Sequence, residues 1–417
     1  FRTRGYLHFD LPISIRQAEA IATSPKKVER HPFYPFISYQ IKSKKVRKDP
    51  ADGSLKIKEK SRPVSYASHV DSQIYSYYAF LLTEKYETLI KELDIDKNVL
   101  AFRKLGKSNI DFANDAFEDI ARRKYCTALA FDIEGFFDNI DHAFLKKSWC
   151  KVIGSEVLPA DHYSVFKSIT KFSKVEKDIV YKAFGISKYN PKKNRKRICN
   201  PQDFRDVVRR NGMISINSNN CGIPQGSPVS ALLSNICMIE FDENVSLFMK
   251  KIDGSYFRYC DDILCIVPTA RKEEIQDIIG AGIRKLNLSI NNDKTKIVTF
   301  KLIRGVLVSD RPLQYLGFTF DGQHKLLRSA ALARYSERMK AGVRLAKLTK
   351  IKHNRKRIEK GASPKELYKR KIYERYSHLG KRNFIRYGLR SAATMNSDAM
   401  KKQLKPLWTR LQEEIAK

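Results

Sequence analysis

The sequence predicts an α+β fold in which a mixed region of strands and helices is followed by a helical, basic lobe. Short strand-like runs occur at Thr127–Asp132 and within 255–267. Apolar residues recur at helical spacing over 71–93 and again from Pro228 onward. From residue 323 to the end, runs of β-forming residues cease, and 27 Lys and Arg stand against 7 Asp and Glu.

The charge of the chain indicates a polyanionic partner. Its 417 residues include 80 Lys and Arg against 45 Asp and Glu, which gives a formal net charge of +35. A merely soluble surface needs a net charge several-fold smaller. A surplus of this size repels itself in the compact state unless a partner neutralises it. We therefore expect the chain to bind nucleic acid.

Cysteine usage and hydropathy point to the cytoplasm. The seven cysteines form no Cys-x-x-Cys pair and are odd in number, which predicts reduced thiols rather than a disulfide framework or a zinc site. The sequence has no apolar run of 18 residues, so we expect no membrane span. The first residues do not have the pattern of a signal peptide.

Residues 36–66 predict a basic hairpin. Ile37–Val46 and Leu55–Val64 have the composition of two strands. The segment 49–53 between them contains an Asp-Gly step, which is typical of a hairpin turn. The helical pattern over 71–93 follows. Further along, residues 146–220 predict helical segments and a basic loop at 192–197.

The run Thr127–Asp132 predicts a short strand whose two faces differ. Leu129 and Phe131 point to one side, because successive side chains of a strand alternate. Two alanines lie beside Asp132 on the other side. Such small neighbours leave room for a large ligand to lie against the carboxylate.

Asp261 and Asp262 lie between two apolar runs, at the tip of a predicted hairpin. Adjacent carboxylates repel each other, and a divalent cation would remove that cost; a solvated turn is the alternative. Together with Asp132, the pair could hold two Mg²⁺ ions about 3.5–4 Å apart. Asp138 and Asp141 are expected to be structural, because their segment has the pattern of a capped helix start.

Five segments resemble, in the same order, the polymerase motifs of bacterial and retroelement reverse transcriptases. They are Phe131–His142 for motif A, Gly222–Pro228 for motif B, Tyr259–Asp262 for motif C, Asn292–Thr295 for motif D and Gln314–Phe318 for the primer-grip segment. Cys260 stands where most relatives have Ala. An ordered set of five segments is far more specific than any one of them.

The resemblance implies a right-hand polymerase of fingers, palm and thumb. The palm would contain an antiparallel sheet, and the thumb would be helical, basic and RNA-binding. The implied boundaries are 1–120 for the fingers with the hairpin 36–66, 121–145 and 216–320 for the palm, 146–215 for a fingers or connecting insertion, and 321–417 for the thumb.

The resemblance also implies the catalytic centre. Asp132, Asp261 and Asp262 would be the catalytic carboxylates and would bind two Mg²⁺ ions, for which Mn²⁺ could substitute. The backbone carbonyl of Ile133 would be a further metal ligand. One ion would activate the primer 3′-hydroxyl, and the other would hold the triphosphate and the leaving group.

Five side chains match positions that contact the incoming nucleotide in the family. Phe137 matches the steric gate, where a bulky ring would collide with a ribose 2′-hydroxyl; an ordinary core aromatic is the alternative. Lys60 and Arg62 match the fingers residues that reach the triphosphate, although a solvated strand face is the alternative for both. Gln225 would lie along the nascent base pair, and Lys294 would assist protonation of the leaving pyrophosphate.

A further set of residues matches positions beside the template and primer. Gly226 would let the backbone approach the template closely. The others are Arg103, Tyr259, Leu316 and Gly317.

The whole chain, including Arg4–Asp10 and the segment Tyr376–Phe384, resembles the "unknown group" reverse transcriptases of bacteria that are associated with anti-phage defence, of the class-2 kind. Such enzymes bind a structured noncoding RNA and copy it into cDNA from deoxynucleoside triphosphates. Two alternatives stay open: a group II intron-type reverse transcriptase with maturase activity, and a catalytically silent RNA-binding scaffold. The sequence leaves the oligomeric state undetermined.

Overall fold

A computed structural model describes residues 1–48 and 53–417, and this part of the chain divides into two compact units. The first unit comprises Phe1–Phe102, Ile133–Leu247 and Ile278–Ile290, and the second comprises Arg103–Asp132, Phe248–Asp277 and Asn291–Lys417. Each unit therefore consists of segments that are distant in sequence. The boundaries of fingers, palm and thumb stay a prediction.

The strands of the described residues form three sheets, and the predicted α+β class is confirmed. In chain order the strands are β1 (Phe36–Lys48), β2 (Leu55–Tyr66), β3 (Cys126–Asp132), β4 (Ser173–Glu176), β5 (Ser215–Ile216), β6 (Ser255–Tyr259), β7 (Asp262–Val267), β8 (Lys296–Ile303), β9 (Val306–Ser309), β10 (Leu313–Tyr315), β11 (Phe318–Phe320) and β12 (Lys325–Leu327).

The two helices that the apolar spacing predicted, over 71–93 and from Pro228 onward, are both present. In chain order the helices are α1 (Ile15–Ala22), α2 (Pro25–Glu29), α3 (His69–Glu92), α4 (Asn109–Arg123), α5 (Phe136–Asn139), α6 (His142–Ile153), α7 (Ala160–Thr170), α8 (Lys177–Ala183), α9 (Pro201–Asp203), α10 (Ser230–Cys237), α11 (Ile239–Lys251), α12 (Lys272–Lys285), α13 (Ser329–Ile358), α14 (Arg370–Tyr376), α15 (Phe384–Thr394) and α16 (Asp398–Ala416). A π-helical turn spans Phe204–Arg209, and a 3₁₀ turn spans Thr269–Arg271.

In the first unit, the predicted basic hairpin is confirmed. Strands β1 and β2 pair antiparallel from Ile37 opposite Tyr66 to Lys48 opposite Leu55. Of the turn predicted at 49–53, residues 49–52 lie outside the described part of the chain. The sheet continues through β4, which runs parallel to β1, to β5. These two strands were not predicted within 146–220, because runs of four and two residues are too short to show an alternation.

The N-terminal segment of the first unit is fixed to the start of α3. The carboxylate of Asp10 accepts hydrogen bonds from the backbone N–H groups of His69 and Val70 at 3.1 and 3.0 Å. Those groups have no partner within the helix, and a negative charge near them is stabilising. Leu7 and Phe9 are buried in the core that also contains Ile37. The segment Arg4–Asp10 thus contributes to the packing of this unit.

His8, within the same segment, predicts a loss of stability in acid. Its ring is fully buried, and burial, with His69 nearby, lowers its pKa to about 3. Asp10 lies 3.8 Å from the ring, but its carboxylate already caps α3. Because the unfolded chain takes up a proton near pH 6.5 and the folded chain does not, this stability is present above pH 6.5 and is lost as the pH falls towards 3.

We expect His8→Asn to flatten the pH dependence of the free energy of unfolding between pH 6.5 and pH 4, as measured by urea denaturation. His353 is exposed, so His353→Asn should leave that dependence as it is in the parent chain. An unchanged slope in both variants would contradict the assignment to His8.

The second unit contains an antiparallel five-stranded sheet in the order β6-β7-β3-β8-β9. Its core joins the apolar side of α4 to this sheet, to the sheet β10-β11-β12 and to the C-terminal helices. The lobe predicted after residue 323 is confirmed as helical from Ser329, where α13 begins. Two short strands, β11 and β12, lie directly before it.

Two general expectations can be compared with the described residues. All seven cysteines are free thiols, and six of them are buried. None of the helices within residues 1–48 and 53–417 combines the length and the apolar character that crossing a membrane requires.

Candidate active site

The structure brings Asp132 and Asp262 side by side. Asp132 is the last residue of β3, Asp262 is the first residue of β7, and the two are direct partners in the antiparallel register. Opposite residues of such a pair have Cα atoms only about 4.5–5.5 Å apart. The predicted proximity of the motif A and motif C carboxylates is therefore present in the second unit.

A tight turn connects β6 to β7 and carries Asp261. Tyr259 pairs with Asp262, so Cys260 and Asp261 are the two residues of the turn. Cys260 has φ of 62°, a region that residues other than glycine seldom adopt. The turn thus places Asp261 next to Asp262 at the end of the strand, as the predicted hairpin requires.

Arg258 supports this turn from inside the unit. Its side chain is 0% exposed, and its Nη1 donates a hydrogen bond to the carbonyl of Cys260 at 3.2 Å. The sequence analysis did not single out this residue. The available signal was a cation at an inward-facing position of a strand, since Arg258 lies two residues after the buried Tyr256 and therefore on the same face of β6.

Lys294 forms an ion pair with the carboxylate of Asp132. The loop that carries it is fixed to the same strand end, because the N–H of Asn291 donates to the carbonyl of Asp132 at 2.8 Å. Lys294 was predicted to act on the leaving pyrophosphate. In this structure its ammonium group neutralises one of the three aspartates.

The charges of this cluster are only partly balanced. Burial raises the pKa of Asp262 to about 7, and the carboxylates of Asp261 and Asp132 contribute to the rise. Lys294 and Arg328 act in the opposite direction. A buried carboxylate among like charges favours either a proton or a cation.

The chemistry of the donors fits Mg²⁺, which prefers carboxylate and carbonyl oxygens. Within the described part of the chain, no three His, Cys, Asp or Glu side chains converge as a finished metal site. Ile133, the predicted backbone ligand, follows Asp132 directly and forms an isolated bridge with Ile290 in the first unit.

In the first unit, Phe137 lies in the short helix α5, which is hydrogen-bonded to motif B. The carbonyl of Phe137 accepts a hydrogen bond from the N–H of Ile223 at 2.9 Å. The N–H of Gly222 donates to the carbonyl of Ile140 at 2.8 Å. The predicted steric gate and the segment that leads to Gln225 are therefore adjacent.

Gly226 lies directly against the hairpin strand β2. The N–H of Ser65 donates to the carbonyl of Gln225 at 2.7 Å. Gly226 has φ of 107°, and a Cβ atom added to it would lie 2.4 Å from the carbonyl oxygen of Ser65. Only glycine fits this position, because the backbone of Gly226 packs against β2. Its predicted contact with the template stays a prediction.

We expect Gly226→Ala to destabilise the first unit severely. Gly305 is a matched control, because it also has a positive φ but has open space around its Cα atom. Gly305→Ala should lower the melting temperature by a few degrees through backbone strain alone, and Gly226→Ala by clearly more. Equal shifts in differential scanning calorimetry would show that the contact with Ser65 is unimportant.

Arg62 and Lys60 both lie on β2. Arg62 is exposed and pairs with Ile41, and Lys60 pairs with Ser43. The side chain of Lys60 lies outside the part that the structure describes. Their contacts with a triphosphate stay a prediction.

The predicted template and primer residues of the second unit lie in three places. Leu316 and Gly317 form the two-residue turn between β10 and β11, with φ of 44° and 97°, and the carbonyl of Leu316 accepts from Nδ2 of Asn109 at 3.0 Å. Tyr259 is half-buried at the end of β6, and Arg103 lies in the loop before α4. Their roles also stay a prediction.

Asp141 has the structural role predicted for it. Its carboxylate caps α6 by accepting hydrogen bonds from the N–H groups of Ala143 and Phe144 at 2.8 and 3.0 Å. Asp138 lies in α5 and does not belong to the carboxylate cluster at the ends of β3 and β7. Burial raises its pKa.

Residues 46–320 match the family described as reverse transcriptase (RNA-dependent DNA polymerase). The chain belongs to the reverse transcriptase family. The match covers all three aspartates and the segments of Phe137 and motif B, and it agrees with the family to which the five sequence motifs pointed.

Individual relatives match this chain over only part of their own length. The retron Ec83 reverse transcriptase of Escherichia coli is 28% identical over 120 residues, which are 28% of this chain and 34% of that protein. The structure of apo telomerase from Candida tropicalis truncated from its C-terminal domain has a TM-score of 0.41 at 12% identity. That match covers 70% of this chain and 57% of the telomerase chain. Telomerase of Candida tropicalis with a TWJ fragment of telomeric RNA has a TM-score of 0.40 at 14% identity. That match covers 91% of this chain and 62% of the telomerase chain. The chain thus spans about a third of the retron protein and less than two thirds of either telomerase chain.

Proposed function

We propose that this reverse transcriptase copies RNA into DNA by two-metal nucleotidyl transfer. One observation carries the proposal: Asp132 and Asp262 are direct partners at the ends of β3 and β7, inside the region that matches the family. A half-buried pair of carboxylates beside Asp261 is a costly arrangement without a cationic ligand, and a bound cation would remove that cost.

Asp132, Asp261 and Asp262 would hold the metal ions, with the carbonyl of Ile133 as a further ligand. Bound Mg²⁺ would lower the pKa of the primer 3′-hydroxyl and neutralise charge on the triphosphate. Arg258 keeps the Asp261 turn in place through the carbonyl of Cys260. Lys294, once a metal ion replaces its contact with Asp132, would be free to donate a proton to the leaving pyrophosphate.

The first unit would select the nucleotide. Phe137 would exclude a 2′-hydroxyl, and Lys60 and Arg62 would neutralise the triphosphate, since charge-assisted bonds to phosphate are strong. Gln225 and Gly226 would lie along the nascent base pair and the template. The bond between Ser65 and Gln225 links the strand of Arg62 to motif B, which supports a shared substrate for these residues.

For the template, we infer a structured noncoding RNA that the chain binds and copies into cDNA, in bacterial anti-phage defence. The class-2 resemblance of the sequence supports this role, and the similarity to a retron reverse transcriptase of Escherichia coli supports a bacterial enzyme. The net charge of +35 fits a large RNA partner. Free thiols fit a cytoplasmic location.

The direct test is primer extension by the purified chain on poly(rA) annealed to oligo(dT), with dTTP and Mg²⁺. We expect Mg²⁺-dependent incorporation, Mn²⁺ as a working substitute, and loss of activity with EDTA. RNA that co-purifies with the chain, once sequenced, would reveal the template. If the chain binds this RNA but incorporates no deoxynucleotide on either template, it is a silent scaffold. Intron flanks around the co-purified RNA would indicate an intron-type enzyme instead.

A further inference from the structure

The second unit contains a groove between α14, α15 and α16 that the proposed catalytic cycle does not use. Its volume is about 520 Å³, within the roughly 300–1,000 Å³ of typical small-ligand sites. Its walls are mostly apolar and include Ile385, Leu389 and Leu404. Trp408 lies at the edge of the groove with 36% of its surface exposed.

Basic side chains line the groove around this apolar floor. On α16, Lys401, Leu404, Lys405 and Trp408 lie on successive turns of one helix face, because residues three and four apart are neighbours. Lys402 and Arg386 also line the groove, and none of its described lining residues is acidic. Lys401 forms an ion pair of 2.8 Å with Asp398, and Nε of Arg386 donates a hydrogen bond to the carbonyl of Gly380 at 3.2 Å.

An aromatic ring beside several cations fits a nucleotide. A base can stack on an exposed aromatic ring while lysine and arginine side chains neutralise the flanking phosphates. His378 and Tyr373 pack against Trp408 with ring centres 5.0 and 5.7 Å apart, and 36% of the Trp408 surface stays exposed. The groove is therefore complementary to a nucleotide in volume, apolarity and charge.

The backbone of α16 adds a possible acceptor. Pro406 lies inside this helix and has no N–H to donate to the carbonyl of Lys402. The carbonyl of Lys402 therefore lacks its usual helical donor, and Lys402 lines the groove. A ribose 2′-hydroxyl is a donor that such a carbonyl can accept from.

We propose that this groove binds an unpaired nucleotide of single-stranded RNA, with its base stacked on Trp408. The proposal rests on the proposed function in taking RNA as the partner. It adds a contact outside the copying site, through which the C-terminal helices would hold an unpaired position of the RNA.

The test uses the full chain and a ten-nucleotide adenosine RNA, without Mg²⁺ or deoxynucleotides. The protein has only two tryptophans, and Trp149 is fully buried, so quenching of indole fluorescence reports on Trp408. We expect the RNA to quench this fluorescence. Trp408→Ala should weaken binding, measured by filter retention, about tenfold, the typical effect of losing one stacked base. Trp408→Phe should stay within about threefold of the parent.

A charge-matched pair of variants tests the cations. Lys402→Gln with Lys405→Gln removes two charges from the groove. Lys381→Gln with Arg382→Gln removes two exposed charges that do not line it. We expect the first double variant to bind the RNA several-fold more weakly than the second. Equal losses, or parent-like binding by Trp408→Ala, would overturn the proposal.

Two competitors test the commitment to unpaired RNA. Excess adenosine DNA of the same length, or excess duplex RNA, should compete poorly with the single-stranded RNA. Equal competition by either would also overturn the proposal. Because the measurement needs no polymerisation, the outcomes are separable: a chain that binds as described but makes no DNA contradicts only the proposed function, and an active chain unaffected by Trp408→Ala contradicts only the groove.

Discussion

Replacing Asp261 and Asp262 together by asparagine will abolish deoxynucleotide incorporation on poly(rA)·oligo(dT). The carboxylates are the proposed ligands of the metal ions, whose contribution to transition-state stabilisation is several kcal/mol. A loss of that size corresponds to a fall in rate of about 10³-fold or more. The measurement is steady-state primer extension with saturating Mg²⁺. Retention of even a tenth of the parent rate would refute the assignment.

A matched control separates this chemistry from folding. Asp141→Asn changes an aspartate of the same motif region, but asparagine also caps helices well, so activity should persist.

The folded pKa of Asp262 is about 7 against an ordinary 3.8, so the folded chain binds the extra proton between these values. The contribution of Asp262 to the free energy of unfolding therefore declines as the pH rises from about 4 to 7, opposite in sign to the contribution of His8. Asp262→Asn should remove that decline and melt at or above the parent temperature at pH 8.

Replacing Phe137 by alanine will allow ribonucleotides to be incorporated. If the ring closes the space beside C2′ of the sugar, its removal opens room for a hydroxyl. Discrimination by a pocket of this kind corresponds to about 1–3 kcal/mol, or roughly 10- to 200-fold. The measurement is the ratio of kcat/KM for dTTP and UTP on the same primer-template.

Phe137→Tyr is the control for this prediction, because it keeps the ring and should keep the discrimination. The N–H of Ile223 donates its hydrogen bond to the backbone carbonyl of residue 137, so neither substitution removes this bond. An unchanged kcat/KM ratio in Phe137→Ala would assign Phe137 to the core instead.

The local elements were predictable because they depend on local patterns. The alternation in 55–64 predicted β2, and the apolar stripe in 71–93 predicted α3 to within two residues at either end. Strands β4 and β5 were missed because four and two residues contain too little alternation. The helical character after residue 329 followed from composition, which changes over a long stretch.

The candidate site was predictable in its residues but not in its contacts. The ordered motifs named Asp132, Asp261 and Asp262, and the pairing of β3 with β7 then placed two of them opposite each other. The ion pair of Lys294 with Asp132 joins a loop to a strand that is 162 residues away in sequence, and no spacing rule connects such partners. Arg258 was missed although Cys260 is only two residues away, because the burial of its side chain depends on how β6 packs.

The sequence alone was sufficient to predict the polymerase family, the α+β class and the basic character. Motifs and periodicity are properties of short segments, and net charge is a sum over all residues. The tertiary structure was needed for everything that depends on register and burial. It decided that Asp262 faces Asp132, that its buried carboxylate has a raised pKa, and that Gly226 touches Ser65. A one-residue shift of β7 against β3 would move Asp262 away from Asp132 and leave every motif unchanged.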